Sequence, residues 1–120
     1  MAEETHEGSC QCGAVRFTAT VDLSGAVVCN CSRCRRLGSV LVFAEPGKVT
    51  FHAGEGATRE YLFNTDTIRH QFCPTCGIEA HAYGRMPDGS PMTAINVNCL
   101  DGVDPMEVRK SATFFDGASA

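Results

Sequence analysis

The sequence has no stretch of about 18 consecutive apolar residues, the length that a membrane-spanning helix needs. It also lacks the basic start and apolar core of a signal peptide, because residues 1–7 are polar and include Glu3, Glu4 and Glu7. We therefore expect a cytoplasmic protein that does not interact with a membrane.

Basic residues are few as well. Ten lysines and arginines stand against 14 aspartates and glutamates, which gives a formal net charge of −4, and no basic stripe is visible. A protein dedicated to nucleic acid carries a clustered positive surface to neutralise phosphates. The composition therefore argues against nucleic acid as a partner of this protein.

Helical periodicity is nearly absent, and only residues 32–37 suggest a helical turn. Short alternating or β-branched segments instead predict strands, and they fall at residues 14–21, 27–31, 40–44, 49–52, 60–63, 68–72, 79–85 and 92–97. Turn residues separate them at 46–47, 54–56, 64–66 and 87–89, the last closing a hairpin. We predict an all-β fold of small antiparallel sheets, with a flexible N-terminus over 1–7, one domain over 8–116 and a flexible tail over 117–120.

Cysteine, in contrast, is abundant, with eight in 120 residues. Disulfides need an oxidising compartment, and nothing in the sequence indicates export. Cys10 and Cys12, like Cys29 and Cys31, are two residues apart, where an internal disulfide would strain the backbone. The cysteines are therefore interpreted as metal ligands.

Two cysteine pairs are predicted to form one closed site. Cys10 and Cys12 can present both sulfurs on one face of an extended chain, and Cys73-Pro-Thr-Cys76-Gly has the spacing of a zinc knuckle. Together they supply the four thiolates of a tetrahedral structural zinc. The alternative is a redox Cys-x-x-Cys motif, but no strand-then-helix pattern accompanies it.

The middle cluster offers only three thiolates, Cys29, Cys31 and Cys34. Three protein ligands leave a fourth position for a guest, as in catalytic zinc sites. The alternative is a second structural site that Cys99 or a histidine closes. Cys99 has no partner cysteine nearby and is interpreted as a buried, apolar-like residue.

Charged and polar residues surround this middle cluster. Arg33, Arg35 and Arg36 either offset thiolate charge as solvated side chains or bind a substrate carboxylate. Asn30 lies between two same-facing cysteines and is expected to point away from them and to form at most a local hydrogen bond. The four histidines are expected to be ordinary surface or core residues, and they are His6, His52, His70 and His81.

The motifs resemble those of a known family. Residues 8–17, 29–36 and 72–77 are similar to the three cysteine motifs of the glutathione-dependent formaldehyde-activating enzyme (GFA) family, and residues 94–104 are similar to a closing segment found in many of its members. The resemblance covers roughly residues 8–116. One position departs from the family pattern, since Asn30 stands where the family usually has a histidine.

The resemblance implies an Mss4-like fold of small β-sheets that zinc holds together. It also implies two zinc ions per chain, a structural one on Cys10, Cys12, Cys73 and Cys76 and a catalytic one on Cys29, Cys31 and Cys34. The implied activity is that of a carbon–sulfur lyase, which joins the thiolate of glutathione, or a similar small thiol, to formaldehyde or a related aldehyde. Arg33, Arg35 or Arg36 would then receive a glutathione carboxylate.

Two other functions remain open from the sequence. One is a non-catalytic zinc-binding module that takes up a small thiol or a protein partner. The other is a redox or zinc-buffering role for Cys29, Cys31 and Cys34. Three observations separate these functions. Turnover indicates the enzyme, thiol binding without turnover indicates the binding module, and reversible oxidation with zinc loss indicates the redox or buffering role.

Overall fold

The structure of the protein is a computed structural model, which describes residues 3–63 and 67–119. Within these described residues, ten strands form two sheets. The first sheet has three antiparallel strands in the order β1-β2-β5, which span Glu4–Ser9, Arg16–Val21 and Val49–Ala53. The first cysteine pair lies in the turn that joins β1 to β2, because Cys10 directly follows β1.

The second sheet has seven strands in the order β10-β3-β4-β9-β8-β7-β6. In chain order these strands are β3 (Val27–Cys29), β4 (Leu41–Ala44), β6 (Arg59–Tyr61), β7 (Arg69–Phe72), β8 (His81–Arg85), β9 (Pro91–Asn96) and β10 (Thr113–Phe115). Five of its six pairings are antiparallel, and β10 runs parallel to β3. The other two cysteine clusters begin where β3 and β7 end.

The core lies between the two sheets. Alternate residues of β2, from Phe17 to Val21, are buried and pack against Val42 of β4 and Ile95 of β9. This period of two is the pattern that predicted a strand over residues 14–21. The all-β fold is confirmed, and the predicted hairpin at residues 87–89 joins β8 to β9. The turn predicted at residues 64–66 lies outside the described residues.

The N-terminus differs from the sequence prediction. Residues 1–7 were predicted to be flexible, whereas Glu4–Ser9 forms β1 and pairs along its whole length with β2. The segment was missed because its polar side chains resemble a disordered leader. Hydrogen bonding to β2 and burial of Gly8 against Phe17 hold it to the sheet instead. His6 is accordingly half-buried in a strand rather than part of a loose end.

Two α-helices complete the described part of the fold. The short helix α1 (Cys34–Leu37) corresponds to the predicted turn at residues 32–37. The second, α2 (Pro105–Ser111), was not predicted, because seven residues are too few for an apolar period to stand out. Its start carries a recognisable signal, since Asp104 caps the N-terminus through Met106 N and Pro105 occupies the first turn. No helix among the described residues is long and apolar enough to cross a membrane.

Candidate metal centres

The first and third cysteine clusters meet in space and form what we call the quartet, Cys10, Cys12, Cys73 and Cys76. Their sulfurs lie within 4.8 Å of one another. The Sγ atoms of Cys10 and Cys12 are 3.8 Å apart, and those of Cys12 and Cys73 are 3.6 Å apart. Zinc–sulfur bonds of about 2.3 Å in a tetrahedron require sulfurs about 3.8 Å apart, so the quartet fits a closed zinc site.

Each half of the quartet is a tight turn between paired strands. Cys10 N donates to Val15 O at 3.1 Å in the first turn, and Cys73 N donates to Ile78 O at 3.0 Å in the second. Gly13 and Gly77 follow the second cysteine of each turn and have φ values of 84° and 78°. A side chain would be strained at these angles, which explains the glycine after each pair.

Backbone N–H groups surround the quartet's sulfurs. Val15 N donates to Cys10 Sγ at 3.3 Å, and Thr75 N donates to Cys73 Sγ at 3.4 Å. The backbone N–H of Ile78, together with other donors, lowers the pKa of the Cys76 thiol to about 6. Such donors favour the thiolate, which is the form that binds zinc.

The middle cluster forms a second site, the trio, made of Cys29, Cys31 and Cys34. Its three sulfurs also lie within 4.8 Å of one another. Cys29 ends β3, Cys31 lies in the following bend and Cys34 begins α1. Within the described part of the chain, no histidine, cysteine or carboxylate adds a fourth ligand to this group. The trio therefore fits a metal ion with one position open to a guest.

The trio also receives N–H donors from its own loop. Cys31 N donates to Cys29 Sγ at 3.4 Å, and Cys34 N donates to Cys31 Sγ at 3.3 Å. Burial raises the pKa of the Cys34 thiol to about 12. A metal ion at the trio must therefore displace the Cys34 proton, because only the thiolate is a ligand.

Cys99 belongs to neither group of sulfurs. It is half-buried against the core, and burial raises the pKa of its thiol to about 12. It lines a cleft of about 480 Å³ that also touches Cys10, Leu37, Glu79 and Asn96. This cleft runs between the quartet and the end of α1.

Arg33 lies inside the trio's loop and bonds an internal carboxylate. Its Nε and Nη2 donate to Glu79 Oε1 at 2.9 and 2.6 Å. Glu79 Oε2 in turn accepts from His70 Nδ1 at 2.8 Å, and both residues are buried. The guanidinium also lies 4.6 Å from the centroid of the Tyr61 ring. Two of the donors that the carboxylate-binding alternative required of Arg33 are thus engaged within the protein.

Arg35 and Arg36 have different surroundings. Both are exposed on α1, and Arg36 Nη1 donates to Ser32 O at 2.8 Å. Asn30, expected to form a local bond only, bonds residues at the far end of the chain. Its side chain contacts Asp116 and Ala118. No sequence signal links Arg33 to Glu79 or Asn30 to the C-terminus, because each pair is separated by more than 40 positions.

The histidines predicted to lie in strands do so. His52, His70 and His81 belong to β5, β7 and β8, and the metal groups include none of them. His81 is buried against Phe51 and Tyr83. Neither of its ring nitrogens has a hydrogen-bond partner among the described residues, and burial lowers its pKa to about 4.

Comparison with known proteins identifies the family. The model of the glutathione-dependent formaldehyde-activating enzyme family matches residues 5–117, nearly the whole chain. The chain belongs to this family. The fold is also similar to the crystal structure of a Rhodobacter sphaeroides protein, with a TM-score of 0.79 and 31% sequence identity over 91% of this chain and 99% of that one. Family membership agrees with the all-β fold and with two clusters of cysteines that could hold metal.

Proposed function

We propose that the protein is a zinc-dependent carbon–sulfur lyase that joins the thiolate of glutathione to formaldehyde or a related aldehyde. In this proposal the quartet holds a structural zinc and the trio holds a catalytic one. The single observation that carries it is the difference between the two groups, one with four sulfurs and one with three. A closed set of ligands stabilises a fold, while an open set admits a reactant.

The reaction forms one bond and needs no external oxidant or reductant. The thiol of glutathione gives up its proton, and a sulfur electron pair forms the new carbon–sulfur bond. The π pair of the carbonyl moves to oxygen, which takes up one proton, so the product is S-hydroxymethylglutathione. Zinc, when bound to the trio, would supply a Lewis acid that keeps a thiol deprotonated near neutral pH and polarises an aldehyde oxygen.

The residues around the trio would place the guest. Arg35 and Arg36 are exposed beside Cys34 and are our candidates for a glutathione carboxylate, since arginine binds carboxylates through two parallel bonds. Arg33 is not a candidate for binding the substrate, because its Nε and Nη2 already donate to Glu79. The cleft beside Leu37 at the end of α1 offers space for the body of the tripeptide.

The test is the exchange between glutathione, formaldehyde and their adduct, followed by NMR at equilibrium with and without protein. Zinc content is measured on the same sample. We expect faster exchange with the wild-type chain and no acceleration with Cys31→Ser, which retains the quartet. An uncatalysed rate from a protein that carries two zinc ions would overturn the proposed activity.

A second candidate function is a zinc module that binds a thiol without turning it over. It is favoured by Asn30, because a carboxamide is neither a general acid nor a general base and because both of its polar groups already bond the C-terminal segment. This candidate predicts thiol binding at the trio with an unchanged exchange rate. The NMR experiment and a thiol titration therefore separate the two functions.

A further inference from the structure

Residues 115–118 lie against the trio's loop, although the tail over 117–120 was predicted to be flexible. Because β10 runs parallel to β3, with Phe115 opposite Cys29, the chain after β10 leaves the sheet at the same end as the trio's loop. Gly117 comes closest to the sulfurs. A Cβ atom at this position would lie 2.5 Å from Cys29 Sγ and 3.2 Å from Cys31 Cβ. A side chain at residue 117 would therefore force either the Cys29 sulfur or the C-terminal segment to shift.

Asn30 holds this segment in place from within the trio's loop. Its Nδ2 donates to Asp116 Oδ1 at 2.9 Å, and its Oδ1 accepts from Ala118 N at 2.9 Å. Its backbone N donates to Phe115 O at 3.4 Å. Three hydrogen bonds therefore link one residue, situated between two cysteines of the trio, to three residues of the C-terminal segment.

We propose that residues 115–119, held by Asn30, form a wall beside the trio that limits which thiols reach its open position. Gly117 fits this wall against Cys29, and Asn30 is a positioning residue that acts through the segment. This inference rests on the proposed zinc site at the trio. It adds a determinant of specificity that lies about 86 residues along the chain from the sulfurs it covers.

The direct test uses two preparations of the whole chain. In the cobalt-loaded protein, the absorption bands report the thiolate ligands. In the zinc-loaded protein, a chromophoric chelator reports the rate at which zinc is released. Asn30→Ala removes both side-chain bonds and should free the segment. We expect zinc to leave the trio about tenfold faster, from the loss of two hydrogen bonds of ordinary strength. The quartet, on other strands, should release its zinc at the wild-type rate.

Selectivity is read from the cobalt protein by titration with two thiols, 2-mercaptoethanol and the bulkier tert-butyl thiol. Asn30→Ala should improve binding of the bulky thiol relative to the small one by about fivefold or more. Gly117→Ala should act in the same direction, because its methyl group cannot remain beside Cys29 Sγ. The matched control is Gly25→Ala, at a position where a Cβ meets nothing within 4 Å and the backbone is not strained. This control should behave as wild type.

The outcomes separate this inference from the proposed function. If the wild-type trio binds metal but both variants keep the wild-type release rate and thiol preference, the wall does not exist and the zinc site stands. If the wild-type trio binds no metal at all, the proposed function fails, and this inference fails with it. Circular dichroism confirms folding of each variant before the comparison.

Discussion

The contact between Arg33, Glu79 and His70 predicts how much the free energy of unfolding falls when the charge of Glu79 is removed. Glu79→Gln keeps the shape of the side chain and removes its charge. The Glu79 side chain is 8% exposed and that of Arg33 is 21% exposed. Loss of an exposed ion pair costs up to about 1 kcal/mol, and breaking a fully buried one costs about 3 kcal/mol or more. We expect a loss of about 2 kcal/mol in the free energy of unfolding.

The assay is denaturant unfolding of the zinc-loaded protein at pH 7, followed by far-ultraviolet circular dichroism because the chain has no tryptophan. Arg33→Met and the double variant complete a mutant cycle. We expect the two single changes to be non-additive by at least about 1 kcal/mol, since each removes the same pair. An effect of Glu79→Gln below about 0.5 kcal/mol, or additive losses, would refute the reasoning.

The same change should affect the trio more than the quartet. Arg33 lies between Cys31 and Cys34, and its bonds to Glu79 fix the loop that carries both sulfurs. When the charge is removed, we expect zinc at the trio to pass to a chelator faster, while quartet zinc is unaffected. Equal acceleration at both sites would indicate general loosening of the fold instead.

Three further predictions follow from single residues. Cys12→Ser should prevent folding, because a structural zinc supplies about 10–16 kcal/mol, which is as much as the entire stability of a domain. Cys34→Ser, in contrast, should stay folded and bind one zinc. Equal circular dichroism spectra and equal zinc contents for the two variants would contradict this prediction. His81 has a pKa of about 4 in the folded protein. When the pH falls from 7.5 to 5, the free energy of unfolding should therefore fall by about 2 kcal/mol, because His81 takes up a proton in the unfolded chain and not in the folded one. His81→Leu should remove that part of the acid sensitivity in unfolding curves, and a slope equal to wild type would exclude His81 as its source. Arg35→Ala should raise the KM for glutathione about fivefold with kcat unchanged, and an unaltered KM would remove Arg35 as a carboxylate ligand.

The sequence was informative wherever a signal was local. β2 was predicted from alternation and β9 from its apolar and β-branched residues, and the pairing of Cys10 and Cys12 with Cys73 and Cys76 followed from motif spacing and the count of four ligands. These features depend on neighbours within a few residues, or on the fixed coordination number of zinc. They are therefore readable without knowledge of the fold.

What escaped prediction depends on contacts between distant segments. β1 is polar in sequence and becomes a strand through its pairing with β2. β10 is three residues long and exists only as a parallel partner of β3. Glu79 and Gly117 reach the trio's loop from elsewhere in the chain, so no spacing rule could have named them. Tertiary context determines all four.

The most direct test of two thiolate zinc centres is an anomalous difference map from crystals of the purified protein, recorded at the zinc absorption edge. We predict two peaks, one bonded to the sulfurs of Cys10, Cys12, Cys73 and Cys76 and the other to Cys29, Cys31 and Cys34 with a non-protein fourth ligand. A single peak, a disulfide among these cysteines, or a protein side chain closing the second site would contradict the account.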